Sequence, residues 1–346
     1  MDMGGATEPD MSTYLGIDMT QVLGPLFWGT LFSMMLTGVT VLQAYQYFPS
    51  KDRPVVQFIA FCMVFLDLLS SALVAQGLSS YLLPNFGSTV PLGRLVPALA
   101  VECAVTTCII VISQFYFAWQ VHALGKTSFV KYAVSGAVVA LSLLAFAGGL
   151  GCSVAMFLYA SNIITTRNRV FNMLAGLSKA SAALADVITT CSLCYGLGYI
   201  RTGIRATDSV LKTLIGFAIQ RGLLVAVVQI ALLIVFYASS PHLYWLGLHV
   251  NVTRVYANTF FAMLHAREGL KKELEMKSIV TSVLEIGNSN QANEPFSSST
   301  KAADEETDTI KFARGIWMGP IKRSKTVDTP GIARIQVDQR VIVSDI

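Results

Sequence analysis

Val55-Val-Gln-Phe-Ile-Ala-Phe-Cys-Met-Val-Phe-Leu-Asp67-Leu-Leu-Ser-Ser-Ala-Leu-Val-Ala-Gln-Gly-Leu78 is an apolar run of 24 residues interrupted by one charge, Asp67. A bilayer core needs roughly 20 helical residues at about 1.5 Å each, so the run is long enough to cross. It lacks the two-residue alternation of a membrane barrel strand and is about twice as long, which leaves the helix as its structure. Six further runs of the same kind flank it, at 23–47, 95–121, 132–159, 176–200, 213–238 and 243–265. The connections between them are polar or rich in Gly and Pro, as in Pro84-Asn-Phe-Gly-Ser-Thr-Val-Pro91. The prediction is an all-α, polytopic seven-transmembrane-helix bundle.

Composition agrees. The 346 residues are 53% apolar and 13% charged, with mean hydropathy +0.58, whereas a soluble domain carries about 25% charged residues. The charge is also uneven: residues 1–267 hold 14 basic and 9 acidic side chains, and residues 268–346 hold 11 and 12. Net charge is only +4, with no basic surface interleaved with aromatics, so no nucleic-acid partner is expected.

Loop charges set the orientation. One side collects Lys51, Arg53, Lys126, Lys131, Arg201, Arg205, Lys212, Arg267, Lys271, Lys272 and Lys277, and the other only Arg94, Arg167 and Arg169. The positive-inside rule then puts the N-terminus outside and the C-terminal tail in the cytosol. The chain divides into an extracellular segment (1–22), the seven-helix domain (23–265), an interfacial helix (266–286) and a largely disordered cytosolic tail (287–346). The interfacial helix rests on Glu268 with Lys272 and Glu273 with Lys277 at i,i+4 spacing. In the tail, Ser324 among Lys322, Arg323 and Lys325 is a phosphorylation candidate, and the tail is a surface for a cytosolic protein partner.

An ionisable side chain at mid-bilayer costs about 2.5 to 3.5 kcal/mol or more, so each one within a run is a functional suspect. Counting from the run ends places Asp67, Asp186 and Arg254 roughly 15 to 18 Å deep. Arg254 is therefore the expected partner of Asp186 or Asp67. On a helical wheel Asn251, Arg254, Asn258 and His265 share one side of the last run, which extends the polar centre to Asn251 and Asn258. His249 and Tyr256 fall on the opposite side. Glu102 and His249 lie in the outer third and Arg221 in the inner third, where Glu102 and Arg221 are expected to reach toward the interfaces. For the midplane trio two readings stay open: locking of helices, or a ligand or ion site.

Several chemistries find no support. Residues 243–265 hold no lysine for a retinal Schiff base, there is no G-x-x-x-x-G-K-[ST] phosphate loop, and four scattered histidines make no metal box. Cys191 and Cys194 form a C-x-x-C without a second pair, and the sequon Asn251-Val-Thr253 lies inside a span. No catalytic residue, metal or cofactor is expected, and the chain is not read as an enzyme.

Four stretches carry a family resemblance: Gln43-Ala-Tyr-Gln-Tyr-Phe-Pro-Ser-Lys-Asp52, Gln114-Phe-Tyr-Phe-Ala-Trp-Gln-Val121, Arg201-Thr-Gly203 with Thr207-Asp208, and Val255-Tyr-Ala-Asn-Thr-Phe-Phe-Ala-Met-Leu-His-Ala-Arg267. Over about residues 20–270 the chain resembles a large group of fungal seven-helix proteins, abundant in mushroom-forming basidiomycetes, that carry the domain of unknown function 6534. Gln120 stands where that group usually has Arg, and Thr259 and His265 where it has Ser and Asn. The resemblance implies topology without mechanism. G-protein-coupled receptors share the helix count alone, since D-R-Y and N-P-x-x-Y are missing. The expected function is receptor-like sensing of a small molecule by a multi-pass protein of the plasma membrane or an endomembrane. A transporter or channel for a small solute, ion or proton is the alternative, and a structural scaffold the second.

Overall fold

In a hydrocarbon environment a long apolar segment satisfies its backbone hydrogen bonds only within itself, and the chain folds accordingly. The computed structural model describes residues 19–50, 52–83, 96–124, 128–159, 169–199, 205–238 and 244–289. Among these lie seven helices: α1 (Met19–Tyr47), α2 (Pro54–Leu82), α3 (Pro97–Leu124), α4 (Ser128–Tyr159), α5 (Arg169–Tyr199), α6 (Arg205–Ala238) and α7 (Tyr244–Ser289). Helices α1 to α6 each hold a stretch long and apolar enough to cross a membrane. The seventh stands apart because its first five turns carry His249, Asn251, Arg254 and Asn258.

The helices run longer than their apolar cores. α5 begins at Arg169 rather than at 176, and α7 continues without a break to Ser289, so residues 266–286 extend the last helix. The candidate phosphosite Ser324, the first 18 residues and the tail beyond 289 lie outside the described residues.

Each helix packs on its neighbours in sequence, and α7 closes the ring against α1. α3 also touches α5 and α7 and forms the interior post. Its apolar window is 67% buried, against 28% to 39% in the other five spans. The outside is apolar: Trp28, Met35 and Phe58 are each at least 66% exposed, while Asp67, Glu102, Asp186 and Arg254 are at most 1% exposed. Grease outside and charge inside is the arrangement for a lipid solvent, and it fits a multi-pass membrane protein.

The α1–α7 contact is the tightest between helices distant in sequence. A Cβ on Gly29 would overlap the Gly247 carbonyl oxygen and stand 2.7 Å from Gly247 Cα, and one on Gly247 would lie 2.9 Å from the Pro25 carbonyl carbon. Two backbones thus meet directly, the small-residue packing device of lipid-embedded helices.

Candidate functional site

The polar side of α7 is read by α1. Asn251 Nδ2 donates to the Gly29 carbonyl (3.0 Å) and to Gly247 (2.8 Å), Asn258 Nδ2 donates to Leu36 (3.1 Å) and to Arg254 (2.9 Å), and His265 Nε2 meets the Gln43 carbonyl at 2.8 Å. Partners advance together along both helices, so α1 and α7 run in the same direction. The wheel grouping of Asn251, Arg254, Asn258 and His265 holds in space. What it faces is α1, and the amide donors of Asn251 and Asn258 tie two helices together.

Arg254 sits in the middle of this side, fully buried. Its Nη1 lies 2.8 Å from Asp67 Oδ1 and 3.2 Å from the Asp67 carbonyl, and its Nε donates to Ser33 Oγ at 2.9 Å. Ser71 Oγ donates to the same Asp67 carbonyl (3.0 Å) and meets Thr37 Oγ1 at 3.0 Å. α1, α2 and α7 are therefore joined through one guanidinium. Among the described residues Asp67 Oδ2 and Arg254 Nη2 have no hydrogen-bond partner.

The midplane trio does not converge. Asp186 on α5 pairs with Arg221 on α6, with Arg221 Nη2 at 3.5 Å from Asp186 Oδ1, and Tyr256 Oη donates to Asp186 Oδ2. Arg221, expected to reach for the inner interface, is 4% exposed. Its Nη2 donates to Ser113 Oγ at 3.2 Å, and its guanidinium carbon stands 3.4 Å from the Phe117 ring centroid. Depth counting puts Arg221 and Asp186 at different levels, yet their side chains meet. Tyr256, which the wheel sets apart from Arg254, is the α7 residue that serves Asp186. Gln229 Nε2 in turn donates to Tyr256 Oη at 3.2 Å.

This cluster yields a direct expectation. Tyr256→Phe removes the hydroxyl donor of a buried carboxylate and should lower unfolding free energy by about 1 to 3 kcal/mol. Adding Gln229→Leu to Tyr256→Phe should cost little more, because the oxygen that Gln229 donates to is already gone. Equilibrium unfolding of the purified variants in mixed micelles measures both.

Glu102 and His249, separate suspects in the sequence, form a third pair. His249 Nε2 lies 3.4 Å from Glu102 Oε2, while Ser70 Oγ (3.0 Å) and Thr106 Oγ1 (2.6 Å) donate to Glu102 Oε1. Thr106 Oγ1 also meets Thr253 Oγ1 at 2.9 Å, immediately before Arg254 in the chain. His249 and Thr253, four residues apart on one side of α7, are thereby both joined to α3 through Glu102 and Thr106.

His249 also lines a partly open cavity of about 40 Å³. Since one water needs about 10 to 15 Å³ measured this way, there is room for about three or four. Its walls come from α3 (Cys103, Thr107), α4 (Cys152, Met156), α5 (Phe171, Lys179), α6 (Leu232, Phe236) and α7 (Trp245). These are the first turns of α3, α5 and α7 and the last turns of α4 and α6. The cavity thus lies at the bundle end opposite the basic connections. Sequence reasoning passes over Lys179, although a lysine within the run 176–200 is the same signal that marks Asp67. The run of small residues Gly176, Ser178, Ala180, Ser181, Ala182 and Ala183 around it reads as helix packing and hides it. Ser178 does pack in that way, donating to the Ala145 carbonyl at 2.8 Å.

No curated protein and no solved structure matches the chain. A family match covers α5 from Ala182, all of α6, and α7 as far as Gly269. It takes in Asp186, Arg221, His249, Arg254 and Tyr256, and it leaves out Asp67, Glu102 and Lys179. Residues 182–269 match a family of unknown function, DUF6534.

Proposed function

We propose that this chain is a seven-pass membrane protein that senses a small molecule in the cavity between α3, α4, α5, α6 and α7. The positive-inside count turns that end of the bundle outward and the tail toward the cytosol. One observation carries the reading: the cavity wall includes His249, which is tied to Glu102 and through Ser70 and Thr106 to α2 and α3. An occupant touching His249 presses on the junction of three helices, and a ligand shifts a conformational equilibrium through such differential contacts. The apolar walls with a few polar groups are those of a small-molecule site.

The test is ligand-dependent stabilisation. A molecule bound at 100 times its dissociation constant adds about 2.7 kcal/mol to the native state. Small-molecule mixtures applied to the purified chain in nanodiscs should raise its melting temperature. Ala175→Leu, which pushes a larger group into the cavity from α5, should abolish that rise while leaving the ligand-free melt nearly unchanged. Ligand shifts that survive Ala175→Leu would place the site elsewhere.

A transporter is the second reading, favoured by Arg254 Nη2, which has no hydrogen-bond partner among the described residues of the bundle interior. It requires solute or proton flux in proteoliposomes that falls in Arg254→Gln at equal protein content. Unchanged flux rejects it.

A further inference from the structure

Lys179 is a cation on the wall of an apolar cavity, and the buried carboxylate of Glu102 is already served by others. Glu102 receives Ser70, Thr106 and His249 and is not part of the cavity wall. Lys179 lies on the wall, and among the described residues it makes no hydrogen bond and no ion pair. The other polar groups on the wall are the thiols of Cys103 and Cys152, the hydroxyls of Thr107 and Ser178, the Trp245 indole N–H, and His249, which is held by Glu102. Cys103 Sγ faces the Gly149 carbonyl at 4.0 Å, Ser178 Oγ donates to Ala145, and Thr107 Oγ1 donates to the Cys103 carbonyl at 2.8 Å. None of these groups supplies a negative charge. Lys179 is half-buried, and an ammonium partly withdrawn from water with no carboxylate paired to it is stabilised when an anion is brought to it.

The remaining wall states what the rest of that anion is. Phe171, Phe236 and Trp245 meet in tilted and edge-on contacts, with ring centroids 5.4 to 6.2 Å apart, and Met156 and Leu232 complete an apolar lining. A bare inorganic ion would leave this lining against nothing it can pack on. The partly open cavity, about 40 Å³, seats a small group. We propose that the cavity is a binding site for a small monocarboxylate, its carboxylate on Lys179 and a short apolar tail against Phe171, Phe236 and Trp245. This names the ligand class for the sensing role proposed above and rests on that reading.

Radiolabelled butyrate is the probe, measured against the full chain in nanodiscs by scintillation proximity, with butyramide as its uncharged counterpart of similar shape. Butyrate should bind saturably, propionate should displace it, and butyramide should compete at least tenfold more weakly. Lys179→Met, which keeps the length of the side chain and removes its charge, should lose at least tenfold in butyrate affinity, and Lys179→Arg should retain most of it. Equal competition by butyramide overturns the carboxylate assignment and leaves a sensing cavity of other specificity. Displacement by chloride as effective as by propionate overturns it in favour of a general anion site. Absence of any butyrate binding also overturns it, whereas the sensing reading falls only if the Ala175→Leu comparison fails as well. The butyramide comparison uses the unaltered chain, so it decides the question even if Lys179→Met does not fold.

Discussion

Arg254→Leu is expected to lower unfolding free energy by about 3 to 5 kcal/mol, the cost of leaving a buried charge without its partner. Arg254 and Asp67 side chains are 0% and 1% exposed, and among the described residues the carboxylate oxygen that faces Arg254 Nη1 at 2.8 Å makes no second ion pair. The same substitution also takes the Nε donor from Ser33 and so loosens α1. Removing both charges in Asp67→Leu/Arg254→Leu should recover most of the loss, since an apolar pair of similar volume avoids the desolvation cost altogether. A double-mutant cycle by equilibrium unfolding in mixed micelles gives the coupling directly. Neutral polar contacts between membrane helices average about 0.6 kcal/mol. A coupling no larger than that would mean that water or lipid headgroups reach the pair, against the buried ion pair described here.

The second large effect is expected at the α1–α7 crossing. Gly29→Val should destabilise by at least about 1 to 3 kcal/mol, the range for overpacking a well-filled interior. The obstruction is backbone on backbone, because the added carbon meets the Gly247 carbonyl, which cannot rotate away as a side chain does. Relief requires moving α7 from α1, and that movement stretches the Asn251–Gly29 and Asn258–Leu36 hydrogen bonds together. Gly38 on the same helix is the control: a Cβ there meets nothing within 4 Å, so Gly38→Ala should leave the melting temperature nearly unchanged. Thermal melts of Gly29→Val, Gly247→Ala and Gly38→Ala in nanodiscs separate the two cases. Equal behaviour of Gly29→Val and Gly38→Ala would contradict the close crossing.

The pairing of charges shows where depth along a span stops being informative. Counting residues levels Asp67 with Arg254 correctly, and the two meet. The same count levels Asp186 with Arg254, yet Asp186 is taken by Arg221 and Tyr256. Depth is one coordinate of three: the rotation of each helix and the identity of its neighbour decide the others, and neither is encoded in a single span. Lys179 illustrates a different gap. Its position inside an apolar run is visible, but only the assembly of five helices shows that it borders a cavity with no carboxylate on its wall among the described residues.

The amino-acid sequence by itself determined that the chain is a bundle of long apolar helices with a few interior charges. Hydrocarbon length, backbone hydrogen bonding and the cost of buried charge are properties of each segment taken alone. The polar side of α7 was equally legible, because helical periodicity is local. Tertiary structure alone decided that this side faces α1, that Asp186 belongs to Arg221 and Tyr256, and that His249 and Lys179 share a cavity. Those outcomes depend on which helices become neighbours, a matter of packing summed over the whole bundle.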